Sequence, residues 1–303
     1  MATPEIGRLL TAMITPFKAD GSVDYAATEK LAAMLVADGS DGVVVSGTTG
    51  ESPTLSDDEK IELIKVIKKA IPRQSVVAGT GSSDTHHSVG LSERAMKAGA
   101  DALLAVVPYY SKPPQEGMYQ HFKAISEVGP TIMYNIIGRT AVNMTAATTI
   151  RCAQLPGIIG VKEASGDLDQ IGLVCAGKPA QFKVWSGDDS WTLPVLAVGG
   201  HGVICVVSHI AGRSMKKLIE AYGRADTQTA REIHHGLLPV IKALMTTAAN
   251  PVPLKSALNA MGFAAGPFRL PLVPLTDDQL KFVMQTIGDA GDLITYNTGV
   301  KVA

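Results

Sequence analysis

The sequence predicts an α/β fold, namely a (β/α)8 TIM barrel followed by a C-terminal helical extension. Short runs of β-branched and other apolar residues recur eight times, and segments of helical pattern separate them. The runs are almost continuously hydrophobic, which is typical of parallel strands that are covered on both faces. A doubly wound open sheet is the alternative architecture for the same alternation.

The eight predicted strands occupy the first two thirds of the chain. They are expected at residues 9–15, 42–46, 75–79, 102–107, 131–135, 158–162, 182–186 and 202–207. The segments between them are long enough for crossover helices, which parallel neighbours require. Eight such units are the number that closes a barrel.

Several of the intervening helices have recognisable ends. Asp24 is placed to cap a helix over residues 25–38, which Gly39 would end. Ser56 and Glu59 have the spacing of a capping box, in which each side chain bonds to the backbone of the other residue. This second helix opens with acidic residues and closes with lysines, as the helix dipole favours.

Strand signals stop near residue 225, while helical pattern continues beyond it. Thr276 and Gln279 form a second capping box in this later part. We therefore predict two domains, a catalytic barrel over residues 1–225 and a C-terminal helical domain over residues 226–303.

The composition excludes several classes of protein. Because 27 Lys and Arg residues balance 28 Asp and Glu residues, a nucleic-acid partner is not expected. No run approaches 18 uncharged apolar residues, so no membrane partner is expected either. The three cysteines lack C-x-x-C spacing, which argues against a disulfide framework and indicates a reducing, cytoplasmic location.

Lys162 is the most informative residue, because it ends the apolar run 158–162. An ammonium group in a strand enclosed on both faces must find a partner, reach the mouth of the barrel or lose its proton. One interpretation is a lysine paired with a neighbouring carboxylate. The other is a Schiff-base lysine, whose amine must be neutral to attack a carbonyl.

Other candidate residues follow the remaining strands, where a barrel carries its function. The turn 47–50 reads Gly-Thr-Thr-Gly, and its backbone amides could converge on a small carboxylate; a plain tight turn is the alternative. Tyr109, Tyr110 and Tyr134 stand at strand ends and suit proton transfer, although tyrosines often only pack. Arg139 suits recognition of a carboxylate, or is a solvated surface residue.

No metal site and no cofactor are predicted. The histidine pairs 86–87 and 234–235 are adjacent in sequence, so on a helix they point about 100° apart and suit one ion poorly. Residues 172–178 resemble a phosphate-binding loop, but a proline follows where the motif needs Ser or Thr and no strand precedes them.

Seven motifs together resemble the dihydrodipicolinate synthases, a family of the pyruvate-dependent aldolase superfamily that includes N-acetylneuraminate lyase. The resemblance extends from about residue 9 to about residue 280. Its motifs, in chain order, are GTTGES, PYYSKPPQEGMYQHFKAI, YNIIGRT, GVKEASGD, SGDD, GGHGVI and NPVPLKSAL. The family fold is a (β/α)8 barrel with a C-terminal helical domain, in agreement with the prediction from the strands.

The resemblance implies a lyase of the class I aldolase type that condenses pyruvate with L-aspartate 4-semialdehyde, in lysine and diaminopimelate biosynthesis. Lys162 would form the imine with pyruvate. Tyr134 would donate and accept protons, linked through Thr48 to Tyr110 of a neighbouring subunit. This last role implies a homotetramer built from tight dimers.

The resemblance also implies the substrate contacts. Thr49 and Ile204 would contact pyruvate, and Gly187 would lie in the wall of the site. Arg139 would hold the carboxylate of aspartate semialdehyde at the entrance. Ile137 stands where the family usually has proline, and without the fixed φ the loop bearing Arg139 gains freedom.

Two alternatives stay open. The chain could be another pyruvate-dependent aldolase, of the 2-keto-3-deoxy sugar acid or N-acetylneuraminate lyase type, although such members usually lack the arginine. It could also be a catalytically silent barrel that binds pyruvate or an amino acid, against which the intact Lys162, Tyr134 and Thr48 argue.

Feedback inhibition by lysine is expected to be weak or absent. Sensitive members of the family bind lysine near the Tyr109–Tyr110 pair. By the resemblance, Asp57 and Lys60 take the places of two histidines, and Ser83 and His87 take those of an Asn and a Glu. His87 removes the obvious counter-charge for a lysine ammonium group, and Lys60 adds a like charge.

Overall fold

A computed structural model describes residues 5–296 as a closed barrel of eight parallel strands, which neighbour one another in sequence order. The strands are β1 (Leu9–Ala12), β2 (Gly42–Val45), β3 (Ser75–Gly79), β4 (Ala102–Val106), β5 (Thr131–Asn135), β6 (Ile158–Glu163), β7 (Lys183–Ser186) and β8 (Gly202–Cys205). The predicted (β/α)8 barrel is confirmed, and the open sheet is excluded because β1 also pairs with β8.

Strands β1 and β8 end three and two residues earlier than predicted, because side chains replace the neighbouring strand as hydrogen-bond acceptors. Beyond β1, the amide of Ile14 donates to Nε2 of His209 at 3.2 Å. Beyond β8, the amides of Val206 and Val207 donate to the carboxylate of Asp189 at 3.0 and 2.6 Å. The hydrophobic run thus continues past the sheet at both places.

Helices cover the outside of the barrel and follow its last strand. Within residues 5–296 they are α1 (Tyr25–Ala37), α2 (Asp57–Ala70), α3 (Thr85–Lys97), α4 (Gln115–Ser126), α5 (Ile137–Thr140), α6 (Ala146–Cys152), α7 (Leu168–Gly177), α8 (Thr192–Ala197), α9 (Ser208–Gly223), α10 (Thr227–Thr246), α11 (Val252–Ala260) and α12 (Asp277–Asp289). Both predicted capping boxes form, and Asp24 caps α1 as expected. Each of these helices is too short or too polar to cross a lipid bilayer.

The core has two parts, one on each side of the strands. The barrel interior is filled by inward side chains such as Leu10, Val77, Ile132 and Trp185. A larger apolar layer lies between the outer face of the barrel and the helices. Successive strand residues therefore face different environments, which decides which residues can enter the site.

Helices α10, α11 and α12 lie beyond the last crossover. One of them, α11, reaches the loop that follows β2, where Lys255 forms a fully buried ion pair with Glu51 at 2.7 Å. We propose that residues 226–303 form a helical domain on a barrel of residues 1–225. Residues 1–4 and 297–303 of these two segments lie outside the described residues.

Candidate active site

The carboxyl ends of β2, β3, β4 and β5 surround a cavity of about 420 Å³, here called the site cavity. Thr48, Tyr109, Tyr134 and Arg139 contribute to its lining. A larger cavity of about 710 Å³ lies at the opposite, amino-terminal end of the barrel, beside Arg8 and Lys183. Four candidate residues line the smaller cavity and none lines the larger one, so the smaller cavity is the candidate site.

Lys162 and Tyr134 are directly opposite each other on neighbouring strands. The Nζ atom of Lys162 lies 4.4 Å from the centre of the Tyr134 ring. Both residues are only 6% exposed. Within residues 5–296, the side chain of Lys162 has no hydrogen-bond or ion-pair partner. The structure therefore does not show the ion pair with a neighbouring carboxylate that was one interpretation of this lysine.

Gly187 is close to this pair. A Cβ atom at Gly187 would lie 3.2 Å from Cε of Lys162 and 2.7 Å from Cβ of Ala164, so any side chain would crowd the lysine. Ile204 is fully buried in the apolar cluster of the barrel interior, to which Tyr134 also belongs. Neither Gly187 nor Ile204 is among the residues that line the site cavity.

The loop after β2 is held by the C-terminal part of the chain. Thr48 lines the site cavity, and the hydroxyl of the buried Thr49 accepts a hydrogen bond of 3.0 Å from Asn250. Glu51 adopts a left-handed backbone conformation, at φ 56°, and its carboxylate is paired with Lys255. These contacts determine where the amides of the loop point.

Arg139 is exposed on α5, at the edge of the site cavity. Ile137 begins this short helix, and the amide of Ala141 donates to its carbonyl at 2.9 Å. The hydroxyl of Thr140 donates to the carbonyl of Ile136 at 2.8 Å. The loop therefore has hydrogen bonds of its own where the family usually has a proline.

Tyr110 stands apart from the other candidate residues. It is 93% exposed and has a positive φ of 71°, a strained conformation for a tyrosine. The other two hydroxyls of the expected relay, on Tyr134 and Thr48, face one cavity but share no hydrogen bond within residues 5–296. A single chain thus brings together Lys162 and Tyr134 but not Tyr110.

Two buried acids, Glu163 and Asp189, and the half-buried Asp188 near the site were not among the candidate residues from the sequence. Burial raises the pKa of Asp188, and the charges of Lys162 and Arg139 oppose this rise. Burial also raises the pKa of Asp189 to about 6, although the hydrogen bonds that it accepts from the amides of Val206 and Val207 act to lower this pKa. Glu163 is 1% exposed, and burial raises its pKa to about 7.

The sequence offered one signal for each of these acids, namely a charged residue directly after an apolar strand. Glu163 follows Lys162, and Asp188 and Asp189 follow β7. Their partners are distant in sequence, so the pattern alone could not tell a buried acid from a solvated one.

A cluster of charges lies at the outer side of the site cavity. Asp57 accepts a hydrogen bond of 2.8 Å from Nε2 of His87 and lies 3.6 Å from Nζ of Lys60. Lys60 and His87 line the cavity, whereas Ser83 is exposed. Within residues 5–296, no three His, Cys, Asp or Glu side chains are placed to hold a metal ion.

Comparison with known proteins gives consistent matches over nearly the whole chain. Residues 5–290 match the model of the dihydrodipicolinate synthetase family. A 4-hydroxy-tetrahydrodipicolinate synthase of Moorella thermoacetica is 52% identical over 288 residues, which are 94% of this chain and 98% of that protein.

Solved structures agree. The dihydrodipicolinate synthase of Cyanidioschyzon merolae, crystallised with lysine bound, gives a TM-score of 0.92 at 42% identity and covers 94% of this chain and 98% of the other. A protein described as the first monomeric dihydrodipicolinate synthase variant gives 0.92 at 38% identity and covers 94% and 97%. The resemblance drawn from the seven motifs is confirmed, and the chain belongs to the dihydrodipicolinate synthetase family.

Proposed function

We propose that the protein condenses pyruvate with L-aspartate 4-semialdehyde to 4-hydroxy-tetrahydrodipicolinate, as a step of lysine and diaminopimelate biosynthesis. The observation that carries this proposal is the buried amine of Lys162 against the ring of Tyr134, 4.4 Å from its centre. A buried lysine that has no hydrogen-bond or ion-pair partner within residues 5–296 suits attack on a carbonyl. The relative from Moorella thermoacetica is named a 4-hydroxy-tetrahydrodipicolinate synthase, which is the enzyme of this reaction.

The first stage is the formation of an imine. The amine of Lys162 attacks the keto carbon of pyruvate, and the oxygen leaves as water. The resulting protonated imine withdraws electrons, so the pyruvate methyl group loses a proton and an enamine forms. We assign the acceptance and return of these protons to Tyr134, and its position opposite Lys162 on the neighbouring strand supports this role.

The second stage forms the carbon–carbon bond. The enamine carbon attacks the aldehyde of the second substrate, whose oxygen takes up a proton and becomes a hydroxyl. The amino group of that substrate then displaces Lys162 from the imine carbon, which closes the ring and frees the enzyme. Every bond change uses the lysine amine, the substrates and exchangeable protons, so the scheme calls for no cofactor.

The remaining candidate residues are assigned to contacts with the two substrates. The loop amides at Thr48 and Thr49 suit the pyruvate carboxylate, while Gly187 and Ile204 are assigned to the pyruvate methyl group. Arg139 is exposed at the rim of the cavity, where its guanidinium can form a bidentate contact with the carboxylate of aspartate semialdehyde.

We propose that Tyr110 completes the proton relay from a neighbouring subunit, within a cytoplasmic homotetramer of tight dimers. Within residues 5–296 the side chain of Tyr110 has no hydrogen-bond partner, and its 93% exposure and strained backbone support this assignment. Sedimentation and turnover of Tyr110→Ala beside the unchanged protein test it: a tetrameric unchanged protein and lost turnover in the variant support the role. Full turnover of the variant, in an assembly of any size, would overturn it.

The experiment that tests the function is a coupled assay with pyruvate and, in parallel, aspartate semialdehyde, sugar acids and small aldehydes. We expect turnover with aspartate semialdehyde only. Arg139→Ala is expected to raise the KM for aspartate semialdehyde far more than the KM for pyruvate. Preferred use of a sugar acid would assign the chain to another aldolase type, and no turnover at all would favour a silent binding barrel.

A further inference from the structure

A buried polar cluster lies directly behind the reactive pair. Asn135 and Glu163 follow Tyr134 and Lys162 and are themselves opposite each other on the two strands. Because successive strand residues face opposite sides, Asn135 and Glu163 point away from the barrel interior, toward the helices. They are 0% and 1% exposed.

The cluster consists of Asn135, Asn143, Glu163 and Gln170. Nδ2 of Asn135 donates hydrogen bonds to Oδ1 of Asn143 at 2.9 Å and to Oε1 of Glu163 at 3.0 Å. Asn143 and Gln170 exchange hydrogen bonds of 2.8 and 3.2 Å between their side chains. Side-chain hydrogen bonds of the cluster therefore join helix α7 and residue 143 to strands β5 and β6, which also pair through their backbones.

The cluster also holds one end of the loop 136–144, which carries Arg139. The amide of Met144 donates to Oδ1 of Asn135 at 3.0 Å, and its carbonyl accepts from Asn135 and Gln170 at 3.2 and 3.3 Å. Asn143 belongs to the loop as well as to the cluster. The end of the loop is thus fastened to the two strands that carry Tyr134 and Lys162.

Glu163 is a carboxyl group without a counter-charge. Within residues 5–296 it forms no ion pair, and its partners are Asn135, the amide of Ser165 and Gln170. Burial raises the pKa of Glu163 to about 7, although these hydrogen bonds act to lower it. The one titratable group that faces it from α7 is Cys175, whose pKa burial raises, with a further contribution from Glu163.

We propose that Glu163 is a positioning residue: through Asn135 and Asn143 it fixes the loop that carries Arg139, and it thereby sets the affinity for the second substrate. This inference rests on the proposed function, in which Arg139 binds the carboxylate of aspartate semialdehyde. The cluster takes the place of the missing proline at position 137, because it restrains the loop from its far end.

Two substitutions break the cluster from different sides. Glu163→Ala removes the carboxylate among the acceptors of Asn135. Asn143→Ala removes the side chain through which the half-buried loop joins Asn135 and Gln170. Glu163→Gln keeps an acceptor of the same shape and is the conservative variant. Asp169→Asn, which removes an exposed acid from the same helix α7, is the matched control.

The experiment measures steady-state kinetics of the full-length enzyme and hydrogen exchange of peptides covering residues 136–144 without substrate. We expect both breaking variants to raise the KM for aspartate semialdehyde about tenfold while kcat changes less than about threefold. We expect them to speed exchange in the loop without reducing borohydride trapping of pyruvate. Glu163→Gln and Asp169→Asn should stay close to the unchanged enzyme.

An unchanged KM together with unchanged exchange in the folded variants would overturn the proposal. Equal losses in pyruvate trapping and in aspartate semialdehyde use would also overturn it, because the cluster would then support Lys162 rather than the loop. If Glu163→Ala does not fold, Asn143→Ala carries the test. If the unchanged enzyme does not use aspartate semialdehyde, the proposed function fails, and hydrogen exchange still decides whether the cluster holds the loop.

Discussion

Asn250 donates a hydrogen bond of 3.0 Å to the hydroxyl of Thr49, across 201 positions of the chain. Two residues further along the loop, Glu51 meets Lys255 in an ion pair in which both side chains are fully buried. Nζ of Lys255 also donates to the carbonyl of Thr15 at 3.0 Å. The helical part of the chain thus fixes a loop of the barrel at the candidate site.

Removing one partner of this ion pair should destabilise the protein strongly. Lys255→Met leaves the carboxylate of Glu51 buried without its cation, which costs about 3 to 5 kcal/mol of unfolding free energy. The double variant Lys255→Met, Glu51→Gln should recover part of that loss, since no buried charge remains unpaired. Chemical denaturation measures both. A loss below about 1 kcal/mol for the single variant would contradict the structural role of the pair.

Tyr134→Phe should keep the binding of pyruvate but lose turnover. A proton-transfer role is typically worth about 10²- to 10⁴-fold in rate, so we expect kcat to fall at least about 10²-fold. The apolar ring remains, so the packing against Lys162 is preserved. An unchanged kcat would mean that Tyr134 only packs. Tyr109→Phe, at the rim of the same cavity, is the matched control and should retain far more activity.

The raised pKa of Glu163 predicts how the stability of the protein depends on pH. In the folded protein its pKa is raised to about 7, whereas the ordinary value is 4.5, so between these values the folded state binds one more proton. The free energy of unfolding therefore falls as the pH rises through this window. Glu163→Gln has no proton to lose.

The unchanged protein should thus lose stability relative to Glu163→Gln between pH 5 and pH 7. Denaturation of both proteins at pH 5, 6, 7 and 8 measures the difference, and Asp169→Asn serves as the control for an exposed acid. A difference that does not vary with pH would show that Glu163 ionises in the folded state as it does in the unfolded chain.

Lysine should inhibit the enzyme weakly or not at all. Asp57 already forms a hydrogen bond with His87 and lies 3.6 Å from the ammonium group of Lys60, so the carboxylate most able to receive a lysine ammonium group is already engaged. A lysine titration of the initial rate is the measurement. Clear partial inhibition below about 1 mM would contradict the prediction, and Asp57→Asn would then show whether this carboxylate binds the ligand.

The architecture and the place of Lys162 at the end of a buried strand could be predicted because they depend on short-range pattern, whereas the pairing of Lys162 with Tyr134 is implied by the family resemblance. Continuous hydrophobic runs reveal strands that are covered on both faces, and a single lysine at the end of such a run is conspicuous. The end of β8 could not be predicted, since the amides of Val206 and Val207 turn to Asp189, which belongs to another loop.

The cluster behind the site shows the same limit. Glu163 and Asn135 are 28 positions apart, and only the register of β5 and β6 makes them neighbours. In the sequence, Glu163 is an acid beside a lysine and therefore indicates an ion pair as readily as a buried polar cluster. Charge and spacing in the sequence tell an ion pair from a buried polar cluster only when the two partners lie within about one helical turn of each other.

The central claim is that the buried amine of Lys162 forms an imine with pyruvate. Borohydride reduction in the presence of pyruvate, followed by peptide mapping, tests this most directly. We expect one reduced pyruvoyl group per chain on Lys162, complete loss of activity in the labelled enzyme, and no label in Lys162→Arg. A label on another lysine, or no label in an active enzyme, would contradict the account.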